Sequence, residues 1–223
     1  MLDPTTSVSA IVLDHSETAA VFSRHKIDYC CRGERSLADV CTTAGLDLQD
    51  VLGELETAIA RRQPKTVDPR SLSTRDVIVK LIAPHHQFLH RNLPFVQSLA
   101  TKVARVHGDK EPSLRELSRL VDGLVSSLTV HLEEEEQILF PALLGMSDAD
   151  PTTMLADMRN EHLAVGAMLA QIRMTAVDFT PPSWACNSYR TLLKELAEIE
   201  RDTLEHVHIE NHVLAPRFMA PAS

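Results

Sequence analysis

The sequence predicts an all-α protein: a four-helix up-and-down bundle preceded by a small helical N-terminal domain. Three observations carry this. Apolar residues recur at helical intervals along most of the chain, only 4% of its 223 residues are aromatic, and there are just 7 glycines. Strand-built folds lean on aromatic residues and on turn glycines, so this composition favours helix packing. The length suits one ordinary domain plus a smaller one.

Taken in order, Val8 to Arg24 and Leu37 to Arg62 carry apolar residues at helical spacing. A turn around Asp28-Tyr29-Cys30-Cys31-Arg32-Gly33 joins them. The stretch RRQPKTVDPRSLS, Arg61 to Ser73, mixes charge, prolines and capping residues, as linkers do. The expected division is therefore a domain over 1–66, a linker over 67–73 and the bundle over 74–223. Four long helices follow, near Thr74 to Val106, Pro112 to Leu144, Pro151 to Thr175 and Trp184 to Phe218. Pro112 and Pro151 suit first-turn positions, and Thr180-Pro181-Pro182-Ser183 breaks the chain before the last helix. Pro84 and Pro94 fall inside the first long helix, where each removes a backbone bond and should kink the helix or open a bulge.

The formal charge is −9 with no basic block, which argues against a phosphate-tracking nucleic-acid surface. No segment reads as a secretory signal, and no apolar run reaches the roughly 18 residues of a membrane span. A soluble, cytoplasmic protein with no membrane or nucleic-acid partner is expected. Four cysteines in this length do not make a disulfide scaffold, and the adjacent Cys30 and Cys31 are poorly placed to bridge each other.

The chemistry sits on the helix stripes. Residues four apart lie about 40° apart on a helix and can ligate one centre. HLEEEEQILFP offers His131 and Glu135; HVHIENHVLAP repeats the pattern with His206 and Glu210, and with Leu and Pro at matching later offsets. Both pairs fall on apolar stripes: Leu117, Leu124, Leu128, His131, Glu135, Ile138 in one helix, and Leu192, Leu196, Ile199, Thr203, His206, Glu210, Val213 in the other. The remaining helices add His86, on the stripe Val79, Ile82, His86, Leu89, Leu93, and His162, on Leu155, Met158, His162, Val165, Leu169. An ionisable group in a core is costly unless paired or bound to metal, and here every helix supplies one. A surface His–Glu pair or a lone core histidine would be unremarkable; the joint pattern is not.

Four imidazoles and two carboxylates suit a pair of first-row ions, iron or manganese, with Glu135 and Glu210 able to bridge. Rivals are His85 and His90 beside His86, His107 at a helix end, and His208 and His212 beside the last pair. Helical phase disfavours most of them: His208 and His212 point away from the stripe, while His90 shares the face of His86 and is its strongest substitute. The other members of Glu133 to Glu136 read as solvent-facing charge. Glu161 reads either as surface or as a proton relay near an access route. Arg24, Lys26, Arg32 and Arg35 lie close in sequence to Cys30 and Cys31 and could lower a thiol pKa. The pair is thus either a reactive or metal-binding thiolate site, or two small apolar residues in a small core. Cys41 and Cys186 lack such a setting and read as structural.

These segments resemble the iron-sulfur cluster repair family of di-iron proteins (RIC, ScdA/YtfE-like). IDYCCRGERSLADVC resembles the family's short N-terminal domain. LIAPHHQFLHRNLP, KVARVHGDK, HLEEEEQILFP, NEHLAVG and HIENHVLAP resemble its hemerythrin-like domain, so the likeness spans nearly the whole chain. By that resemblance the di-iron ligands fall on His86, His131, Glu135, His162, His206 and Glu210, the six that helical phase selects, and the vicinal cysteines on Cys30 and Cys31. Arg32 stands where the family often has a glycine, and Pro84 directly precedes the first ligand region. The resemblance implies a cytoplasmic homodimer that restores iron-sulfur proteins damaged by nitric oxide or oxidants, with two non-haem irons bridged by oxygen and carboxylates. Three functions fit this: donation of iron to a damaged cluster, enzymatic reduction of nitric oxide, or non-catalytic sensing of oxygen or nitric oxide. Cys30, Cys31 and Glu161 are the candidates for roles beyond ligation.

Overall fold

The computed structural model describes residues 2–61 and 68–219. Residues 62–67, where the sequence places the end of the first domain and the start of the linker, lie outside the described residues. The contacts form two compact units, one of Met1–Ser73 with Val207–Ser223 and one of Thr74–His206. The fold is all-α, and the only pairing of extended backbone among the described residues is an isolated bridge between Ser7 and Ser36. No helix is long and apolar enough to cross a membrane among the described residues.

Among the described residues the first unit holds four short α-helices: α1 (Val8–Asp14), α2 (Ala19–Arg24), α3 (Leu37–Ala44) and α4 (Leu48–Ala60). Each of the two stretches with helical periodicity is thus divided into two helices. Between α3 and α4 the cause is visible in the residues. Gly45 takes a left-handed φ of 67°, which ends α3, and the Asp47 carboxylate accepts from the N–H groups of Gln49 and Asp50 to start α4. Between α1 and α2, Asp14, His15 and Ser16 are weak helix formers, and His15 leaves the helical region at φ −140°.

The second unit is built on long helices. α5 (Thr74–Val77) and α6 (Ala83–His107) form the first, α7 (Ser113–Glu134) and α8 (Phe140–Leu143) the second, α9 (Pro151–Thr175) the third, and α10 (Asn187–Ile209) starts the fourth. One apolar core joins them, with Leu89, Leu93 and Val96 from α6, Leu117, Leu124 and Leu128 from α7, Leu169 from α9, and Leu192 and Leu196 from α10. Each such side chain contributes about 1.5–3 kcal/mol by leaving water. Arg173 and Glu200 pair at the edge of this core.

Three of the four long helices contain a π segment: Ile78–Ile82, Glu135–Leu139 and Glu210–Leu214. Each is followed two residues later by a proline, Pro84, Pro141 or Pro216. A proline has no N–H for the carbonyl four residues back and drives its ring into that carbonyl. In all three cases that carbonyl belongs to the central residue of the π segment, Lys80, Gln137 or His212, and widening the ladder relieves the clash. Pro84 thus opens a bulge, as its position suggested. Pro94 lies within the unbroken α6 and opens none.

The surplus residue in each widened turn also shifts the stripe, and it corrects two expectations. Val79 and Ile138, both expected to face the core, are 55% and 49% exposed, while their neighbours Ile78 and Leu139 are 6% and 3% exposed. An unbroken 3.6-residue phase fails at the points where the ladder changes.

Candidate metal centre

The helices carry the predicted residues inward. His86 on α6, His131 on α7, His162 on α9 and His206 on α10 are all buried, as is Glu135, the first residue of the π segment after α7. One donor atom each of His131, Glu135 and His162 lie within 4.8 Å of one another, and a donor of His206 lies within that distance of His86. Glu210 is fully buried and opens the π segment that follows α10.

Glu135 divides the histidines between its two oxygens. His86 Nε2 lies 3.4 Å from Oε2, whereas His131 Nε2 lies 3.5 Å and His162 Nε2 4.0 Å from Oε1. His131 and His162 meet Nε2 to Nε2 at 3.1 Å.

The outer nitrogens explain why the inner ones point that way. His86 Nδ1 lies 2.9 Å from Glu136 Oε1, and His131 Nδ1 lies 2.7 Å from Glu161 Oε2. A carboxylate only accepts, so each Nδ1 carries a proton, and in the neutral imidazole that a metal binds each Nε2 then presents its lone pair inward. Lone pairs then face the carboxylate of Glu135, acceptor against acceptor in a buried space. A cation reconciles such an arrangement, and a carboxylate behind the imidazole is the usual support for a metal-ligating histidine. The donor set therefore fits metal: nitrogen and carboxylate oxygen, no thiolate, which suits a first-row ion better than calcium or a structural zinc.

Glu136 and Glu161 support the histidines from outside; the sequence leaves Glu136 unmarked and singles out Glu161 only as surface or a proton relay. Glu136, expected to be plain solvent-facing charge, binds His86 and also His90, whose Nε2 lies 3.1 Å away. Glu161 is about half exposed but holds His131. Both sit off their own helix's stripe and reach a histidine on another helix, so no periodicity reveals them. His90 stays exposed on that outer carboxylate while His86 is buried, which separates the two candidates. A cleft of about 180 Å³ reaches His131 and Glu135 past Glu134, Asp157, Glu161, Met154 and Met158.

Replacing Glu161 with Gln keeps a side chain of the same shape but removes the charge that fixes the His131 tautomer. Metal affinity should fall about 10–100-fold, read by competition with a chelator; unchanged affinity would remove Glu161 from the support of the site.

The cysteine pair lies in the other unit. Cys30 and Cys31 are buried with sulfurs 3.3 Å apart, and Asp28 Oδ1 accepts from both backbone N–H groups and from the Cys30 thiol. The hydrogen bond with Cys31, then burial, then the nearby Asp28 push the Cys30 thiol well above its ordinary range. Of the two sequence readings of the pair, this favours for Cys30 a small apolar residue in a small core over a lowered thiol pKa. Arg24 is engaged by Glu54, Arg35 by Asp39 and Thr43, and the charge beside the sulfurs is a carboxylate. Cys30 is a protonated thiol at neutral pH. The turn is held by His208 against the Tyr29 carbonyl at 3.1 Å, and by Asn211 and His212 against the Cys30 carbonyl at 3.0 and 2.9 Å. His208 and His212 thus serve this turn. Cys41 is buried, and the exposed Cys186 lies 3.2 Å from His107 Nε2.

Two family models match the chain. One describes the hemerythrin HHE cation binding domain and covers residues 77–218; the other, ScdA_N, describes a domain of unknown function and covers residues 4–59. Among curated relatives, the chain is 31% identical over 211 residues to the iron-sulfur cluster repair protein YtfE of Yersinia pseudotuberculosis serotype O:1b (strain IP 31758), covering 95% of both chains. It is 32% identical over 210 residues to the protein of that name from Escherichia coli O17:K52:H18 (strain UMN026 / ExPEC), and 33% identical over 210 residues to that from Escherichia coli O1:K1 / APEC, each at 94% of both chains.

Proposed function

Because the chain belongs to the YtfE-type family of iron-sulfur cluster repair proteins, built on a hemerythrin HHE cation-binding domain, we propose that it repairs damaged iron-sulfur proteins by supplying iron from a carboxylate-bridged pair of irons. One observation carries the two-ion reading: the oxygens of Glu135 face separate histidine sets, His86 on one side and His131 with His162 on the other. A single ion would need only one such face. His86, His131, Glu135, His162, His206 and Glu210 would hold the irons, with Glu135 as a bridge. When bound, such a pair supplies labile ferrous ion and exchangeable coordination positions.

The residues around the centre suit release as well as capture. Glu136 and Glu161 support His86 and His131 from partly exposed positions, so solvent exchange there loosens a ligand without unfolding a helix. Glu134, Asp157 and Glu161 line the cleft, and their charge raises the local concentration of a divalent cation passing through it.

Donation is tested by mixing the iron-loaded protein anaerobically with an apo-protein that assembles an iron-sulfur cluster. Iron should appear in the acceptor, and protein that keeps all its iron throughout would sink the proposal. Transfer by a Cys30→Ala/Cys31→Ala variant, compared with the wild type, shows whether the thiols take part. The same cleft has room for a diatomic gas, which favours nitric oxide reduction as a second reading. Catalytic production of nitrous oxide by the reduced protein would select that reading over donation.

A further inference from the structure

Beside the proposed centre, two ligand-type side chains that the six positions leave unexplained gather around one of the six, His206. His85 on α6 and Asp202 and His206 on α10 each offer a donor atom within 4.8 Å of the others. Along the chain, Asp202, His206 and Glu210 follow one another at four-residue steps, so a carboxylate precedes the predicted His–Glu pair by one helical turn.

Asp202 is the informative residue. Its side chain is nine-tenths buried, and one carboxylate oxygen, Oδ1, lies 2.9 Å from His85 Nδ1. The other, Oδ2, is buried with no hydrogen-bond partner. A buried carboxylate oxygen left unsatisfied is costly, and in native proteins it calls for a cause. The His85 contact answers for only half of the group. Two imidazoles and a carboxylate are a common donor set for ferrous and related divalent ions.

Exposure is graded across the three residues. The side chains of His85 and Asp202 are 19% and 10% exposed, and His206 is 0% exposed. The group therefore runs from solvent contact at His85 to full burial at His206, a residue that also belongs to the main cluster.

We propose that His85, Asp202 and His206 form a separate subsite that holds a ferrous ion in transit between solvent and the main centre. Shared occupancy of His206 makes the transfer a change of partners: the ion reaches His206 with His85 and Asp202, then exchanges them for the inner ligands, and leaves by the reverse order. This rests on the repair reading, in which iron must come and go. A centre that only kept its metal would have no use for such a stage.

The test compares wild type, Asp202→Asn and His85→Gln. Apo-protein is loaded with ferrous ion anaerobically in a stopped-flow instrument, and the loaded protein is then challenged with a ferrous chelator. Both variants should load and release roughly tenfold more slowly while reaching the wild-type iron content and optical spectrum. Wild-type rates in both variants would overturn the subsite. So would a reduced final iron content with an altered spectrum, since Asp202 would then be positioning His206 within the main centre. Should Asp202→Asn fail to fold, the partly exposed His85→Gln decides the question alone. The repair reading has its own separate failure: wild type that loads and releases iron through these residues yet never passes it to an apo-cluster protein.

Discussion

Glu135→Ala is expected to purify without a bridged pair of irons. Glu135 is the residue whose two oxygens face the two histidine sets, and without it Glu210 is the only carboxylate left among the six proposed ligands. The loss has a thermodynamic signature besides the missing metal. A ligand that binds only the folded state stabilises it by about 4 kcal/mol at a thousandfold excess over its Kd. Ferrous ion should therefore raise the melting temperature of the wild type and leave that of Glu135→Ala where it was. Removing the carboxylate also removes a buried charge whose desolvation costs several kcal/mol when no cation answers it. The metal-free variant should for that reason melt no more than slightly below the metal-free wild type, despite the side-chain atoms lost. Metal analysis and thermal melts with and without iron check both statements. Retention of both ions would show that the ligand assignment is wrong.

Gly33→Ala is expected to disrupt the turn that carries the cysteine pair. A Cβ there would run into the Tyr29 carbonyl oxygen and come within 2.7 Å of Ser9 Cβ. Neither neighbour can yield cheaply. Tyr29 is buried and its carbonyl receives His208, while Ser9 is buried in α1 with its N–H donated to the Gly33 carbonyl at 2.9 Å. Overpacking of this kind costs about 1–3 kcal/mol and more where backbone must move. Denaturant unfolding followed through the first unit should show a loss in that range, together with faster reaction of Cys30 and Cys31 with a thiol reagent as their burial fails. An unchanged midpoint and unchanged thiol reactivity would remove Gly33 from that role. Arg32, directly before it, is exposed, so the turn accommodates a long side chain there and not at Gly33.

Much of this was legible in the sequence, for identifiable reasons. Helical phase is a local property, and ligands that project from regular helix obey it: His86, His131, His162 and His206 are buried where the stripes put them. The start of α9 at Pro151 follows from a proline at the first turn with the Asp150 side chain capping it. What phase could not show was whatever depends on a second helix. Glu136 and Glu161 lie off their own stripes and gain their meaning from a histidine elsewhere in the bundle. The cysteine turn misled for the opposite reason. Arg24 and Arg35, close in sequence, turn to other partners in space, and the neighbour that matters, Asp28, sits within the turn itself. Val79 and Ile138 were misjudged because a constant period was carried across a change in the helical ladder, although the prolines that cause the change stand in plain sight.

Those prolines bear on what kinds of change the gene can absorb. Each π segment is, in effect, one amino acid inserted into a regular helix, with a proline downstream that keeps the insertion from closing up. Delete a codon from the surplus turn alone, and the proline is driven back into a carbonyl. Replace the proline alone, and the extra residue has nothing holding it out, so Leu139 and Ile138 compete for the same inward place. Only the two edits together return a plain helix with an unbroken stripe. Insertion and proline are in this sense a single heritable unit, and three copies of that unit stand in the helices that carry His86, Glu135 and Glu210.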